Sequence, residues 1–201
     1  MDEVAGCSSE ADWKTRGVTD RIDTPSGLLL RPWCAHDVTA VLDAFAEPAM
    51  RRQVARPIGS VAEAEHWLAD REERRAVGSA FAFAVVGADG TVLGNVQVGA
   101  LDRTHGTGWV SYWTTAPARG RGAATGGCRA LASWAFRELG LFRLELGHRT
   151  NNPASCKVAR AAGFVVEGIQ RQKLAYDGVR YDVELHARLA TDPEPAPHPP
   201  S

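Results

Sequence analysis

The chain has 201 residues, with 23 Lys or Arg against 24 Asp or Glu, so its formal net charge at pH 7 is −1. This balance argues against a nucleic-acid-binding domain, and no apolar stretch is long enough to span a membrane. The N-terminus lacks a secretory signal pattern, the four cysteines are far apart, and the six histidines are scattered. We therefore expect a reduced, cytoplasmic protein without a metal site.

A single domain is predicted between about Pro25 and Ala190. Residues 1–24 are polar and unpatterned, which indicates a flexible N-terminal extension. Residues 191–201 are rich in proline, a composition typical of a disordered tail.

The first part of the domain predicts one strand and two helices. "GLLLRPW" predicts the strand. "HDVTAVLDAFAEP" predicts a helix, with Asp37 available near its start and Pro48 near its stop. In "SVAEAEHWLADREERRA", Ser60 and Glu63 have the spacing of a capping box, which predicts the second helix.

A run of strands follows these helices. The segment "FAFAVVGADGTVLGNVQVGAL" has apolar residues at every second position on both sides of Asp89 and Gly90, which predicts a hairpin. "GWVSYWTT" predicts a further strand, and it ends just before the glycine-rich loop "RGRGAATGG", residues 119–127.

Helix, strand, helix and hairpin signals complete the domain. Apolar residues recur at helical spacing over 124–139, and Gly140 follows as a stop signal. "LFRLELG" predicts a strand, and "NPASCKVARAAGF" predicts a short helix between Asn152 as its cap and Gly163 at its end. Residues 171–189 predict a final hairpin, whose second strand alternates strictly between apolar and polar residues. This order predicts a mixed α/β fold that is too rich in hairpins for a fully parallel sheet.

The loop "RGRGAATGG" has the chemistry of an anion site. A glycine-rich turn that opens a helix leaves backbone N–H groups unpaired, and the helix dipole favours an anion beside them. Arg119 and Arg121 add positive charge. No Gly-Lys-Ser/Thr follows, so it is not a Walker A loop, and Thr125 stands where a dinucleotide fingerprint needs its third glycine. The loop predicts a pyrophosphate site; the alternative is a flexible surface turn.

Several segments in order resemble the GNAT superfamily of N-acetyltransferases, over about residues 27–190. "RGRGAA" fits its R/Q-x-x-G-x-G/A signature, and "NPASCKVARAAGF" resembles its N-x-x-S-x-x-V-x-x-x-x-G-F segment. "YWTTAPARGRGAA", "WAFRELGLFRLEL" and "YDGVRYDVELHARL" are similar to the branch of ribosomal-protein-alanine N-acetyltransferases. The resemblance implies a central, mostly antiparallel mixed sheet flanked by helices. It also implies direct transfer of an acetyl group from acetyl-coenzyme A (acetyl-CoA) to a primary amine.

The resemblance further implies which residues hold acetyl-CoA. Loop amides would hold the pyrophosphate, and the end of the preceding strand would pair with the pantetheine amides. Asn152 aligns with an asparagine beside the pantetheine arm, and Ser155 with a position near the thioester sulfur. Lys157 and Arg160 are further candidates for phosphate contacts. The implied cofactor set is Trp113, Thr114, Thr115, Arg119, Gly120, Arg121, Gly122, Ala123, Ala124, Asn152 and Ser155.

Acetyl transfer needs a base for the acceptor ammonium and an acid for the leaving thiolate. The tyrosine that many superfamily members use as the acid is replaced here by Ala159. Ser155 is the predicted acid, because the resembling branch usually has serine there. Glu145 is the predicted base, and His148 and Asp102 are the alternatives.

Two loops, residues 50–59 and 101–108, are expected to face the acceptor. Their charged or titratable residues are Arg51, Arg52, Arg56, Asp102, Arg103 and His105. The excess of arginine suits an acceptor with a carboxylate or acidic neighbours. The branch implies a protein N-terminal amine; a small-molecule amine and a non-catalytic acyl-CoA sensor are the alternatives. A homodimer is also left open, because similar proteins are frequently dimers.

Overall fold

The computed structural model describes residues 21–51 and 56–195. Within them, eight strands form one sheet, and none of the helices is long and apolar enough to cross a bilayer. The strands are β1 (Ile22–Asp23), β2 (Leu29–Pro32), β3 (Phe81–Val86), β4 (Val92–Asp102), β5 (Thr107–Thr114), β6 (Arg143–Arg149), β7 (Val165–Tyr176) and β8 (Val179–Leu189). The helices are α1 (Val38–Ala46), α2 (Pro48–Arg51), α3 (Val61–Ala76), α4 (Ala123–Glu138) and α5 (Pro153–Ala161).

The sheet has the order β1-β2-β3-β4-β5-β6-β8-β7. All neighbouring strands are antiparallel except β5 and β6, which are parallel and are connected through α4. The predicted mixed α/β fold, with a mostly antiparallel central sheet flanked by helices, is confirmed.

The parallel pair β5 and β6 separates after three residue pairs. Its register joins Thr107, Gly108 and Trp109 of β5 to Arg143, Leu144 and Glu145 of β6. Beyond this point β5 continues along β4 to Thr114, and β6 continues along β8 to Arg149. A gap therefore opens in the sheet between the second halves of the two strands, and we call it the β5–β6 gap.

Helices cover both faces of the sheet. One face packs against α4 and α5, and the other packs against α1 and α3. Because of this double cover, all six residues of β3 are buried, although every second residue of a strand points to the opposite face. The first face is filled by aliphatic residues together with Phe81, Phe83, Trp134 and Phe164. The second face holds an aromatic cluster of Trp33, Phe45, Trp67 and Trp113.

Local capping explains where α3 begins. The Glu63 amide donates to the Ser60 hydroxyl oxygen at 3.3 Å, and the Ser60 hydroxyl donates to the Glu63 carboxylate at 2.9 Å. The predicted N-cap of this helix is confirmed, but the Glu63 carboxylate accepts its backbone hydrogen bond from the Gly59 amide at 2.9 Å, one residue before the position that a capping box uses. Asp37 behaves differently, because its carboxylate does not cap α1 and instead completes the cap of the preceding 3-10 turn, Ala35–Asp37. It accepts two hydrogen bonds from Arg31, both at 2.7 Å, and one from the Cys34 amide at 3.0 Å.

Residues next to the predicted domain boundaries make defined contacts. Ile22 pairs with Leu30, so the sheet begins before Pro25. After β8, Asp192 accepts a hydrogen bond from the Leu189 amide at 2.8 Å, and Glu194 pairs with the buried Arg188 at 2.9 Å. The remaining parts of the extension and the tail, residues 1–20 and 196–201, lie outside the described residues, so the domain boundaries stay predictions.

Candidate functional site

The glycine-rich loop leads directly into α4. Gly120 and Gly122 have φ angles of 74° and 79°, which L-residues with a Cβ rarely adopt. Gly122 is the N-cap, and its carbonyl accepts the first helical hydrogen bond from Gly126 at 2.8 Å. The amides of Ala123, Ala124 and Thr125 precede that bond, so no helix carbonyl is available to them. The loop therefore presents a row of N–H donors at the positive end of a 16-residue helix.

The two loop arginines have different surroundings. Arg119 donates to both carboxylate oxygens of Glu47, at 2.6 and 2.5 Å, so its charge is largely compensated. This hydrogen bonding holds the pKa of Glu47 below its usual value and that of Arg119 above it. Arg121 forms no ion pair within residues 21–51 and 56–195. Of the two arginines predicted to contact the pyrophosphate, only Arg121 is without a carboxylate partner among the described residues.

The second half of β5 carries side chains to both faces of the sheet. Trp113 packs in the aromatic cluster, 5.5 Å from the Phe45 ring centre, so its side chain belongs to the core. Tyr112 points to the other face, and its hydroxyl donates to the Ser155 carbonyl at 3.2 Å. Burial raises the pKa of Tyr112 above its usual value. The tyrosine thus connects β5 to the beginning of α5 across the β5–β6 gap.

The start of α5 lies beside this gap. The Asn152 side chain accepts a hydrogen bond from the Ser155 amide at 3.2 Å, so the predicted helix cap is confirmed. Ser155 is half-buried in the first turn of α5, while Lys157 and Arg160 are exposed on the same helix. The fold therefore brings Asn152 and Ser155 to the strand that ends at the loop.

Glu145 lies at the last residue pair before β5 and β6 separate. It points to the sheet face opposite α5, and its Oε1 accepts a hydrogen bond from Arg143 Nε at 2.8 Å. Arg143 also pairs with Glu167, and this hydrogen bonding raises the pKa of Arg143 and lowers that of Glu167. Glu145 is thus half-buried and held in position at the edge of the gap.

The predicted acceptor loops are only partly available for binding. Asp102 accepts a hydrogen bond from the His105 amide at 3.0 Å, within the turn between β4 and β5. Arg103 donates to the carbonyls of Gly78 and Leu139, at 3.3 and 3.4 Å, so it ties helix ends together instead of facing an acceptor. Arg51 donates to the carbonyl of Ala46, the last residue of α1, at 3.2 Å, and Arg52 lies outside the described residues.

Four side chains with ligand chemistry meet under α5, although the sequence predicted no such cluster. They are His148, Cys156, Glu184 and His186. His148 Nε2 lies 2.9 Å from His186 Nε2, and Glu184 Oε1 lies 2.9 Å from His186 Nε2 and 3.3 Å from Cys156 Sγ. Hydrogen bonding from Cys156 holds the pKa of Glu184 below its usual value, against a smaller opposing effect of burial. Alternating polar positions in β8 were the only sequence signal.

A cavity of about 420 Å³ lies between the glycine-rich loop and α1. Its walls come from α1, from the turn between β3 and β4, and from residues 115–121. Arg121 is part of its lining, together with the acidic residues Asp43, Glu47 and Asp89. Glu47 is already paired with Arg119, but Asp43 and Asp89 disfavour an anion inside the cavity, so we place the candidate site at the β5–β6 gap.

Comparison with known proteins identifies the family to which the sequence is similar. A family model described as an acetyltransferase (GNAT) domain matches residues 27–165. The probable N-acetyltransferase YjcK of Bacillus subtilis is 33% identical over 111 residues, which are 53% of this chain and 59% of that protein. The ribosomal-protein-serine acetyltransferase of Escherichia coli is 27% identical over 98 residues, 49% of this chain and 55% of that protein. The matches thus span little more than half the length of these curated relatives.

Solved structures agree at the level of the fold. A structure of RimL, a ribosomal L7/L12 alpha-N-protein acetyltransferase in complex with coenzyme A, aligns with a TM-score of 0.77 at 22% identity. The alignment covers 84% of this chain and 97% of that chain.

Proposed function

Since the chain belongs to the GNAT acetyltransferase family, we propose that it transfers an acetyl group from acetyl-CoA to the N-terminal α-amine of a protein. The observation that carries the proposal is the β5–β6 gap, with the donor-rich loop at one end and the start of α5 beside it. The names of the ribosomal-protein acetyltransferases among its relatives support the acceptor class.

The proposed cofactor contacts use backbone more than side chains. The amides at the start of α4, with Arg121, suit the diphosphate, because both provide positive charge. The free edge of β5 at 113–115 suits the pantetheine amides, which can pair with it as a short strand would. Thr115 limits this edge, since its amide already donates to the Leu93 carbonyl at 2.9 Å. Asn152 and Ser155 would then face the thioester end.

Acetyl-CoA supplies an activated acyl group with a thiolate leaving group. The protein has to remove one proton from the amine and donate one proton to the thiolate. The amine must lose a proton before it attacks, and an α-amine, with a reference pKa of about 8, does so more easily than a lysine. We assign Glu145 as the base, through a water molecule, because it lies at the edge of the gap and is fixed by Arg143. We assign the Ser155 hydroxyl as the donor to the leaving thiolate.

The function is tested by mass spectrometry of a panel of amines incubated with the full chain and acetyl-CoA. One set consists of peptides with a free N-terminus, and a matched set has a blocked N-terminus and a free lysine. Acetylation of the first set alone is expected. Acetylation confined to amino acids or polyamines would assign a small-molecule acceptor instead. Tight acetyl-CoA binding without acetylation of any amine would identify a sensor.

The assignment of Ser155 makes a separate prediction. Ser155→Ala should lower kcat about tenfold to a hundredfold, because it removes a proton donor, while the Kd for acetyl-CoA changes less than about threefold. Ser79→Ala, which changes an exposed serine between α3 and β3, is the control and should leave both constants unchanged. Equal kcat values for the two variants would show that Ser155 is only a helix residue.

A further inference from the structure

The ligand-type cluster under α5 joins three elements of the fold. His148 comes from β6, Glu184 and His186 from β8, and Cys156 from α5. His148 and Glu184 are register partners, so β6 and β8 hold them side by side on the same sheet face. The two imidazoles are almost completely buried, with 7% and 0% exposure, while Cys156 and Glu184 are half-buried. The cluster is therefore part of the packed structure and is not a chance meeting of surface groups.

The hydrogen bonds of the two histidines leave an excess of lone pairs at the centre of the cluster. His148 Nδ1 lies 3.0 Å from the Arg149 carbonyl, and His186 Nδ1 lies 3.5 Å from the Phe164 carbonyl. A carbonyl only accepts, so both Nδ1 atoms carry hydrogen, and each neutral ring then has a lone pair on Nε2. These two Nε2 atoms are 2.9 Å apart, and Glu184 Oε1 is 2.9 and 3.4 Å from them. Three lone pairs that face each other repel unless a shared proton or a metal cation lies between them.

We propose that this cation is a zinc ion in a closed four-ligand site that clamps α5 onto β6 and β8. The ligands are His148 Nε2, Cys156 Sγ, Glu184 Oε1 and His186 Nε2, which all lie within 4.8 Å of one another. Ligand atoms about 2.0–2.3 Å from zinc are about 3.3–3.7 Å apart at tetrahedral angles. Four of the six pairs of ligand atoms are 2.9–3.4 Å apart and reach these values with side-chain shifts of a few tenths of an ångström. The two pairs between Cys156 Sγ and the imidazole nitrogens lie within 4.8 Å, so the thiol closes the site with a shift of up to about 1 Å.

The donor set and the charge select zinc over calcium or magnesium. One thiolate and two imidazoles are ligands that zinc prefers, whereas the harder cations require mostly oxygen. On binding, the Cys156 thiol proton leaves to solvent, and two bonds to nitrogen, one to sulfur and one to oxygen form. The dication is balanced by one thiolate and one carboxylate, so the buried site carries no net charge. The Nδ1 contacts with backbone carbonyls supply the outer hydrogen bonds that zinc-bound histidines usually have.

The test uses the full chain without a histidine tag, first stripped with a chelator and then titrated with Co²⁺ as a spectroscopic probe. One Co²⁺ per chain should produce the strong visible absorption of four-coordinate cobalt and a thiolate-to-cobalt charge-transfer band, and Zn²⁺ should bleach both. Cys156→Ser should abolish the charge-transfer band and weaken metal affinity at least about tenfold to a hundredfold. Glu184→Gln should weaken affinity but retain that band, because the thiolate remains.

Cys34→Ser is the matched control, because it removes an exposed cysteine outside the cluster. It should bind Co²⁺ with the same spectrum as the unaltered chain, and Zn²⁺ should raise the Tm of both but not that of Cys156→Ser. The proposal is overturned if the folded chain binds no metal stoichiometrically, which would mean that the histidines share a proton. It is also overturned if Cys156→Ser and Cys34→Ser give the same cobalt spectrum. Neither readout depends on acetyl transfer, so this test and that of the proposed function can fail separately.

Discussion

Arg119 and Arg121 lie two positions apart in one loop, but only Arg119 has a carboxylate partner among the described residues. Its bidentate pairing with Glu47 connects the loop to the end of α1. A planar guanidinium held on both carboxylate oxygens has little charge left for another anion. We therefore assign Arg119 a positioning role for the loop and Arg121 the electrostatic contact with the diphosphate.

This difference leads to a prediction for acetyl-CoA binding. Arg121→Glu should raise the Kd for acetyl-CoA at least about tenfold, because it replaces an attractive charge by a repulsive one. Arg137→Glu makes the same charge change in the last turn of α4 and is the control. Calorimetry should show a normal Kd for the control, and both variants should retain a cooperative thermal transition. An unchanged Kd for Arg121→Glu would remove the loop from the proposed site.

Gly94 is required by a close approach of two strands. A Cβ at this position would lie 2.2 Å from the Trp113 carbonyl oxygen and 2.9 Å from Thr114 Cα, and neither backbone atom can move freely. Gly94→Ala should lower the free energy of unfolding by about 2–3 kcal/mol. Gly59→Ala is the control, because its Cβ would meet nothing closer than 3.9 Å. Urea unfolding measures both, and a Gly94→Ala variant as stable as the control would contradict the close contact between β4 and β5.

At the scale of elements, the helix starts differ in what they do. Ser60 caps α3, which only covers the sheet, whereas Asn152 caps α5, which also carries Ser155 beside the β5–β6 gap. The two caps thus have the same backbone role in different surroundings.

Asn152→Ala and Ser60→Ala should each lower the free energy of unfolding by about 1 kcal/mol, the usual cost of an N-cap side chain. Only Asn152→Ala should also raise the KM for acetyl-CoA, because the proposed site places its amide beside the pantetheine arm. Equal KM values for both variants would reduce Asn152 to a structural cap.

Most elements could be predicted because their signals are local. The Ser60 cap, the Asn152 cap and the glycine-rich turns each depend on residues a few positions apart, and the structure agrees with them. The role of Asp37 could not be predicted in this way, because its carboxylate turns back to the Cys34 amide and pairs with Arg31 of β2 instead of capping α1. A sequence pattern does not contain such competition between a local and a tertiary partner.

At the scale of the whole molecule, the histidine cluster shows the limit of sequence analysis. Residues 148 and 186 are 38 positions apart, and only the pairing of β6 with β8 brings them into contact. Strict alternation in β8 is also typical of a strand with one solvated face, yet His186 and Arg188 are almost fully buried, since α5 and Glu194 cover that side. The loop and the start of α5, by contrast, could be located from their own residues.

The Arg31–Asp37 pair links β2 to the start of α1 and makes stability depend on pH. Burial alone would raise the pKa of Asp37, but hydrogen bonds from Arg31 and the Cys34 amide hold it below its usual value. Because the folded pKa lies below the unfolded value of about 3.9, the pair stabilises fully above that pH and loses its effect as pH falls through the folded pKa.

Asp37→Asn should therefore be less stable than the unaltered chain by about 1–3 kcal/mol at pH 7, and the difference should shrink below about pH 4. Asp43→Asn, which removes an exposed carboxylate of α1 outside this pair, is the control for the loss of one acidic side chain from the same helix. Denaturant unfolding at several pH values measures this, and a constant difference between Asp37→Asn and the unaltered chain would contradict the assignment.

The strand order has a consequence for how the chain folds. The pairs β1–β2, β3–β4 and β4–β5 join strands a few residues apart, and β7 pairs with β8 through a two-residue turn. Such local pairings lose little loop entropy and form early. The antiparallel pair β2–β3 spans residues 33–80, and the parallel pair β5–β6 spans residues 115–142, so both are slow to form. We therefore expect a β3–β5 meander and a β7–β8 hairpin to form first, and the cofactor gap to be completed only when these two units join.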